Sequence, residues 1–335
     1  MYFYIIFYER SASTIMELQL LEKNLYKKNK SELRYLETHT LSKSYESMKF
    51  KMINQQKVYI FDGYIPKNDD FTIQKHNRFA PVPTHIHNFI EINYIFNGQC
   101  TQIIDGREVL LTKGQICLID TDVPHSIKET GEQDIIINIL IHKNYFKNQL
   151  LSNSLNKGII TDFIMNVISE TANHRQYIIF KNRDFEKIHS TICDMLLESY
   201  SPNIGDKQVI SHYLSIFFIK LLRDFDYETN GQTSRKEQEI LEILKYLETN
   251  YESLDLSLLA KKFNYTPNYL STLLKKKIGK SYSEIILEKK LDRAHALLQH
   301  SDLTINDVAI AAGFTNPTFF YNKYKEKFNK LPSER

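Results

Sequence analysis

Between residues 83 and 125 the chain gathers side chains suited to binding a small polar molecule. Pro83-Thr84-His85-Ile86-His87-Asn88-Phe89-Ile90-Glu91 is followed by Asn93 and, later, by Pro124-His125. Imidazole, carboxylate and amide groups together offer both donors and acceptors. In an extended strand alternate side chains share a face. Glu91 and Asn93 therefore point one way, and Ile92, Tyr94 and Phe96 point the other, towards an apolar layer. His85, His87, Glu91, Asn93 and His125 are the candidate lining of an effector pocket. The plainer alternative is that the three histidines hydrogen-bond to backbone at strand ends.

The surrounding sequence has to build strands to hold these groups. Short β-branched and aromatic runs occur at Val58–Tyr64, Glu91–Phe96, Cys100–Ile104, Val109–Leu111, Ile116–Ile119 and Ile135–Ile141. Turn residues separate them, and Asp105-Gly106 between two alternating runs is a hairpin signature because both residues tolerate positive φ. This spacing predicts an antiparallel sandwich or barrel over residues 57–142. Residues 1–56 read as a polar, helix-leaning peripheral arm. Residues 143–228 read as helical, with apolar spacing at Phe163, Ile164, Val167 and Ile168, at Ile188, Ile192, Met195 and Leu196, and at Leu214, Phe217, Phe218, Leu221 and Leu222. The last set is a candidate dimer interface, with packing inside the chain as the alternative. Polar residues 229–236, opening from Tyr227, read as a linker.

Residues 237–335 predict an all-α domain with an internal repeat. Asp255 leads a short helix through Ala260, and Thr266-Pro267 opens a second. Thr304 and Ala309 repeat the first helix, Gly313 turns the chain, and a further helix follows from Asn316-Pro317. Each Ala marks a close helix crossing, and Thr-Pro is a cap followed by a residue pre-set for helix. Two helix-turn-helix units result, at about 255–277 and 304–327, joined by a helix at about 281–299. The second helix of each would enter a DNA major groove, the two about 10 bp apart. Tyr269, Leu270, Leu273, Phe319, Phe320 and Tyr324 are assigned to the core. Asn268, Ser271, Thr272, Lys275, Lys276, Asn316, Thr318, Tyr321, Asn322 and Lys325 are the candidate DNA contacts. Asn pairs with adenine, Thr meets a thymine methyl or a phosphate, and Lys meets phosphate.

Composition fits this division. The 335 residues are 42% hydrophobic and 25% charged, a globular balance of two-domain length. Net charge is +3, yet residues 235–335 carry 17 Lys+Arg against 13 Asp+Glu, so the positive excess sits there. Cys100, Cys117 and Cys193 are scattered and odd in number, which excludes a disulfide framework or a zinc finger. The one apolar N-terminal run, Tyr2–Tyr8, is too short to span a bilayer. A cytoplasmic location without membrane contact is expected.

Residues 237–335 resemble the paired helix-turn-helix domain of AraC/XylS-family transcription regulators. Ile305, Asp307-Val308-Ala309, Gly313-Phe314, Phe319-Phe320, Tyr324-Lys325, Phe328 and Pro332 carry most of the likeness. The sequence departs from the family pattern at Asn322 and Lys290, each in place of Arg, and at Asn329 in place of Gly. His85-x-His87-x-x-x-Glu91 with Gly98, and the weaker Pro124-His125, resemble the cupin motifs. Cupins are double-stranded β-sandwich barrels, and in a metal cupin His85, His87, Glu91 and His125 would be the ligands. Two His and a carboxylate suit Fe, Mn, Ni or Zn.

The resemblance implies an α+β chain of two domains. A cupin-like antiparallel β-barrel or sandwich with appended helices would sense a small-molecule effector, and an all-α domain would bind a double-stranded DNA operator. It implies a homodimeric activator that meets RNA polymerase and is not an enzyme, with no metal or other cofactor. The rival reading is a metal-dependent cupin enzyme fused to a DNA-binding module.

Overall fold

The structure is a computed structural model that describes residues 12–146, 177–182, 185–229, 235–252 and 254–334. It divides into two compact units at residues 238/239.

The first unit opens with helices α1 (Ala12–Tyr26), α2 (Lys30–Thr38) and α3 (Ser44–Ser47). Ten strands follow: β1 (Phe50–Ile53), β2 (Gln56–Phe61), β3 (Phe71–Lys75), β4 (Val82–His87), β5 (Phe89–Asn97), β6 (Gln99–Ile104), β7 (Arg107–Thr112), β8 (Ile116–Ile119), β9 (His125–Ile127) and β10 (Ile135–His142). After the turn α4 (Lys143–Tyr145) come β11 (Tyr177–Asn182), α5 (Phe185–Tyr200), α6 (Asp206–Asp224) and β12 (Phe225–Thr229). The strands form two six-stranded sheets, ordered β1-β2-β4-β9-β6-β7 and β12-β11-β8-β5-β10-β3. Among the described residues each sheet keeps two free edges, so the architecture is an open sandwich rather than a closed barrel. Pairing is antiparallel except for β2 with β4, which run parallel.

The Asp105-Gly106 hairpin is present, with both residues at positive φ and Ile104 opposite Arg107. One end of the interior is apolar, built from Ile95, Cys100, Ile104, Leu111, Cys117, Ile119, Val123, Ile127 and Ile136. Along β5 the inward face changes from Glu91 and Asn93 to Ile95, so the other end is polar. The opposite face of β5 is covered as expected: Tyr94 and Phe96 pack on His189 of α5.

The structure corrects four expectations for this unit. The sheet begins at Phe50 rather than 57, because Asn54 and Gln55 both adopt positive φ and close a β1–β2 hairpin. Residues 143–228 are not wholly helical, since β11 pairs with β8 and β12 with β11. Burial of Tyr177-Ile178-Ile179-Phe180 against β8 supplies the tertiary context that strand propensity needs. The linker read from Tyr227 accordingly begins inside β12. Leu214, Phe217, Phe218 and Leu221 are buried within the chain, alongside Ile188, Ile192, Met195 and Leu196, so they do not form a free dimer face. Phe163, Ile164, Val167 and Ile168 lie outside the described residues.

The fourth correction concerns the first 56 residues, whose helices are not peripheral. Leu21 and Leu25 are buried, and Glu32 is fully buried against Arg78, which is itself fully buried. Glu32 Oε1 accepts from Arg78 Nε at 2.9 Å and from Lys75 Nζ at 3.1 Å. The remaining guanidinium nitrogens donate to the carbonyls of Glu132 and Tyr26, which completes the network.

The second unit contains α7 (Arg235–Asn250), α8 (Leu256–Lys262), α9 (Pro267–Ile278), α10 (Tyr282–His300), α11 (Ile305–Ala311) and α12 (Pro317–Phe328). The expected caps are in place. Asp255 accepts from the Leu258 amide and Thr304 from the Asp307 amide, while Thr266 and Asn316 cap α9 and α12 before Pro at the first helical turn. Ala260 and Ala309 are buried at the crossings. Gly313 turns the second repeat at φ +85, and Asn264 takes the same left-handed conformation in the first.

Candidate functional site

At the polar end of the sandwich the imidazoles are fixed by both faces and edges. β4 carries His85 and His87, while His125 opens β9 and pairs directly opposite His85. His85 stacks on Phe61 with ring centroids 3.9 Å apart, and His87 stacks on Phe89 at 4.3 Å. Each Nδ1 lies against a backbone carbonyl: His85 on Pro83 at 2.9 Å, His87 on Phe89 at 2.7 Å and His125 on Val123 at 2.9 Å. The backbone-bonding role foreseen for these rings is therefore real, but it uses only one nitrogen of each.

A carbonyl can only accept, so Nδ1 carries the proton and a neutral ring leaves Nε2 bare. Nε2 of His87 and of His125 then lie 3.1 and 3.3 Å from Glu91 Oε2 without hydrogen-bond geometry. Burial drives His85 and His87 below the usual imidazole range, which favours the neutral ring. Burial alone would raise Glu91, yet His125 and His87, when Nε2 carries a proton, donate to it and hold the carboxyl well below its usual range. Bare nitrogens thus face an ionised carboxylate, an arrangement that a proton or a metal cation between them satisfies. The ligand atoms of His85, Glu91 and His125 all lie within 4.8 Å of one another, and this set suits a divalent transition metal. Imidazoles that donate their other N–H to carbonyls are the usual support of such a centre.

His85 and Glu91 also line a cavity of about 390 Å³, within the range of small-molecule sites. Arg34 and Tyr35 of α2, Tyr45 of α3, Tyr64, Gln74 and Asn138 contribute to its wall. His87, Asn93 and His125 are not part of this lining; they lie buried beside Glu91. Asn93 donates to Glu91 Oε1 and to Asn138 Oδ1, and Gln102 donates to Asn93, forming a buried amide chain. The sequence reading missed the wall from α2 and α3, because an arm taken as peripheral offers no reason to face a pocket. Asn138 was visible as the lone polar residue within Ile135–Ile141.

In the second unit Asn268, Thr272, Lys275, Lys276, Thr318, Asn322 and Lys325 are exposed on α9 and α12. Thr272 donates its hydroxyl to the Asn268 carbonyl, and three other candidates are also partly committed elsewhere. Asn316 Oδ1 accepts from the Phe319 amide as a cap, Tyr321 packs against the Leu291–Phe320 core, and Ser271 is half-buried. Leu270, Phe320 and Tyr324 are buried as expected and Leu273 is half-buried. Tyr269 and Phe319 are not core residues; each is 46% exposed. Both stand at the third position after a cap, and that position turns outwards in each helix.

Comparison with known proteins matches both units. Residues 73–151 match the family described as AraC-like ligand binding domain, and residues 259–335 match a helix-turn-helix domain family. The chain is 22% identical to the melibiose operon regulatory protein of Escherichia coli K12, over 76% of this chain and 83% of that protein. The two matched regions are those of an AraC-type transcription regulator. The chain is also 24% identical to the transcriptional activator RhaS of Mannheimia succiniciproducens, over 83% of its own length and 98% of RhaS. Among solved structures it aligns with an apo ToxT variant from Vibrio cholerae at 15% identity and TM-score 0.36, covering 80% of this chain and 97% of ToxT. The regulator thus pairs a ligand-binding domain with a DNA-binding domain. No helix among the described residues is long and apolar enough to cross a membrane.

Proposed function

We propose that this AraC-family regulator is a cytoplasmic transcription activator whose effector occupies the cavity above His85 and Glu91. The observation that carries this reading is a cavity whose polar wall is built by two sheets and the α2–α3 segment together. Hydroxyl, amide, guanidinium and carboxylate groups converge there, the chemistry of a small polar ligand. The effector controls the protein by binding its DNA-competent arrangement more tightly than the other. Homodimers place four helix-turn-helix units on two operator half-sites and engage RNA polymerase. Asn268, Thr272, Thr318 and Asn322 read bases, while Lys275, Lys276 and Lys325 hold phosphates. A thermal-shift screen of polar metabolites on the full chain tests the sensor. A ligand that raises the melting temperature of wild type and not of Glu91→Gln or Arg34→Ala is expected, and equal shifts in all three would remove the cavity from the mechanism.

A second reading follows from the bare Nε2 atoms. His85, His87, Glu91 and His125 would hold a divalent transition metal, the starting point of the cupin-enzyme alternative. Metal analysis of purified protein separates the readings. One equivalent of transition metal, lost on His125→Ala, supports the metal centre. Metal-free protein that gains no thermal stability from added Zn(II), Ni(II) or Mn(II) retires it and leaves His87 and His125 as positioning groups for Glu91.

A further inference from the structure

The two DNA-facing helices superimpose in sequence register across their whole length. Thr266–Lys280 corresponds residue for residue to Asn316–Lys330. The caps Thr266 and Asn316 correspond, as do Pro267 and Pro317, and the left-handed ends Gly279 and Asn329. The buried residues correspond as well, Leu270 with Phe320 and Leu274 with Tyr324. The outward stripes then read Asn268-Tyr269, Thr272, Lys275 and Thr318-Phe319, Asn322, Lys325.

Within these stripes Tyr269 and Phe319 hold the same position and are both 46% exposed. A large ring left nearly half in water forgoes apolar burial, and here that happens twice in one register. Tyr269 stacks on Tyr265 at 5.1 Å, which holds its ring over the entry to α9. The first turn of such a helix is the part that reaches base edges. Lysines at the third turn of the same stripes supply cations where phosphates flank the groove. What an apolar ring can recognise on a base edge is the 5-methyl group of thymine.

We propose that Tyr269 and Phe319 each contact a thymine methyl in the major groove, at two positions about 10 bp apart in the operator. The inference rests on the DNA-binding reading above. Its test starts from the operator that the full-length protein selects from random duplex DNA. Thymines are replaced one at a time by deoxyuridine, which lacks only the methyl. Wild type should lose about fourfold in affinity at two positions, the worth of one buried methyl. Tyr269→Ala should abolish the effect at one of them and Phe319→Ala at the other, with cooperative unfolding retained because both rings lie outside the core.

Deoxyuridine effects that persist unaltered in both variants would overturn the assignment. So would variants that bind DNA as wild type but fail to activate transcription, since the rings would then face a protein partner. Failure to select any sequence would instead remove the DNA-binding reading itself.

Discussion

At the residue scale the most consequential side chain outside the two sites is Glu32. Burial pushes its carboxyl up, but hydrogen bonds from Arg78, Asn29 and Lys75 outweigh burial and bring it down to about 2. A carboxylate held below its unfolded value stabilises the fold above the unfolded pKa, near 4.3, and that stability fades as pH falls towards 2. Glu32→Gln leaves Arg78 as an unpaired buried cation and should cost about 3–5 kcal/mol at pH 7. The gap from wild type should close as pH drops from about 4.5 towards 2. Urea unfolding at a series of pH values measures it, and a gap that does not change with pH would contradict the assignment. In the DNA-facing stripe Asn322→Ala should change operator preference at one base step, which competitive binding to single-step operator variants reads directly. Uniform weakening on every sequence would make Asn322 a backbone contact.

The sequence made these residues legible to different degrees. His85, His87, Glu91 and His125 were visible as a constellation because motif spacing is local. Glu32 with Arg78, and Arg34 or Tyr45 with the pocket, were not, because those contacts join segments far apart in the chain. Tyr269 and Phe319 were misplaced because an aromatic residue in an amphipathic helix is assigned to the core unless its register is known. The internal repeat held that register, and the buried partners Leu270 and Phe320 revealed it.

At the scale of elements, the family departures in the second repeat acquire reasons. Asn329 ends α12 at φ +54, a conformation in which Gly is unstrained. Asn329→Gly should therefore raise stability by a few tenths to about 1 kcal/mol, visible as a small rise in melting temperature; a fall would show that the Asn side chain contributes more than backbone relief. Lys290 of α10 donates to the Gly313 carbonyl at 2.7 Å and so ties the linker helix to the turn of the second repeat. Gly313 lies at φ +85, and an added Cβ would sit 3.1 Å from Lys290 Cε. Gly313→Ala should cost more than about 1 kcal/mol. Hydrogen exchange in α11 and α12 reports it, with faster exchange confined to those helices expected. The β-hairpin at Asp105-Gly106 was legible because turn chemistry is local, whereas β11 and β12 depend on a distant partner strand and were not.

At the scale of the molecule, a charge excess confined to the last hundred residues is modest for a DNA-binding protein. In the proposed homodimer, specific affinity then depends on two helices acting through one linker, and on two chains acting together, rather than on a strong basic field. α10, with 19 residues, is about 28 Å long, close to the roughly 34 Å between successive major-groove turns. That correspondence is what joins the repeat in the sequence to a bipartite operator. Hydroxyl-radical and methylation footprinting of the full-length protein on its selected operator tests this most directly. Two protected major-groove patches per chain are expected, about 10 bp apart on one face of the duplex, strengthened by a ligand that fills the cavity. A single protected patch per chain, or protection that slides along DNA without sequence preference, would contradict it.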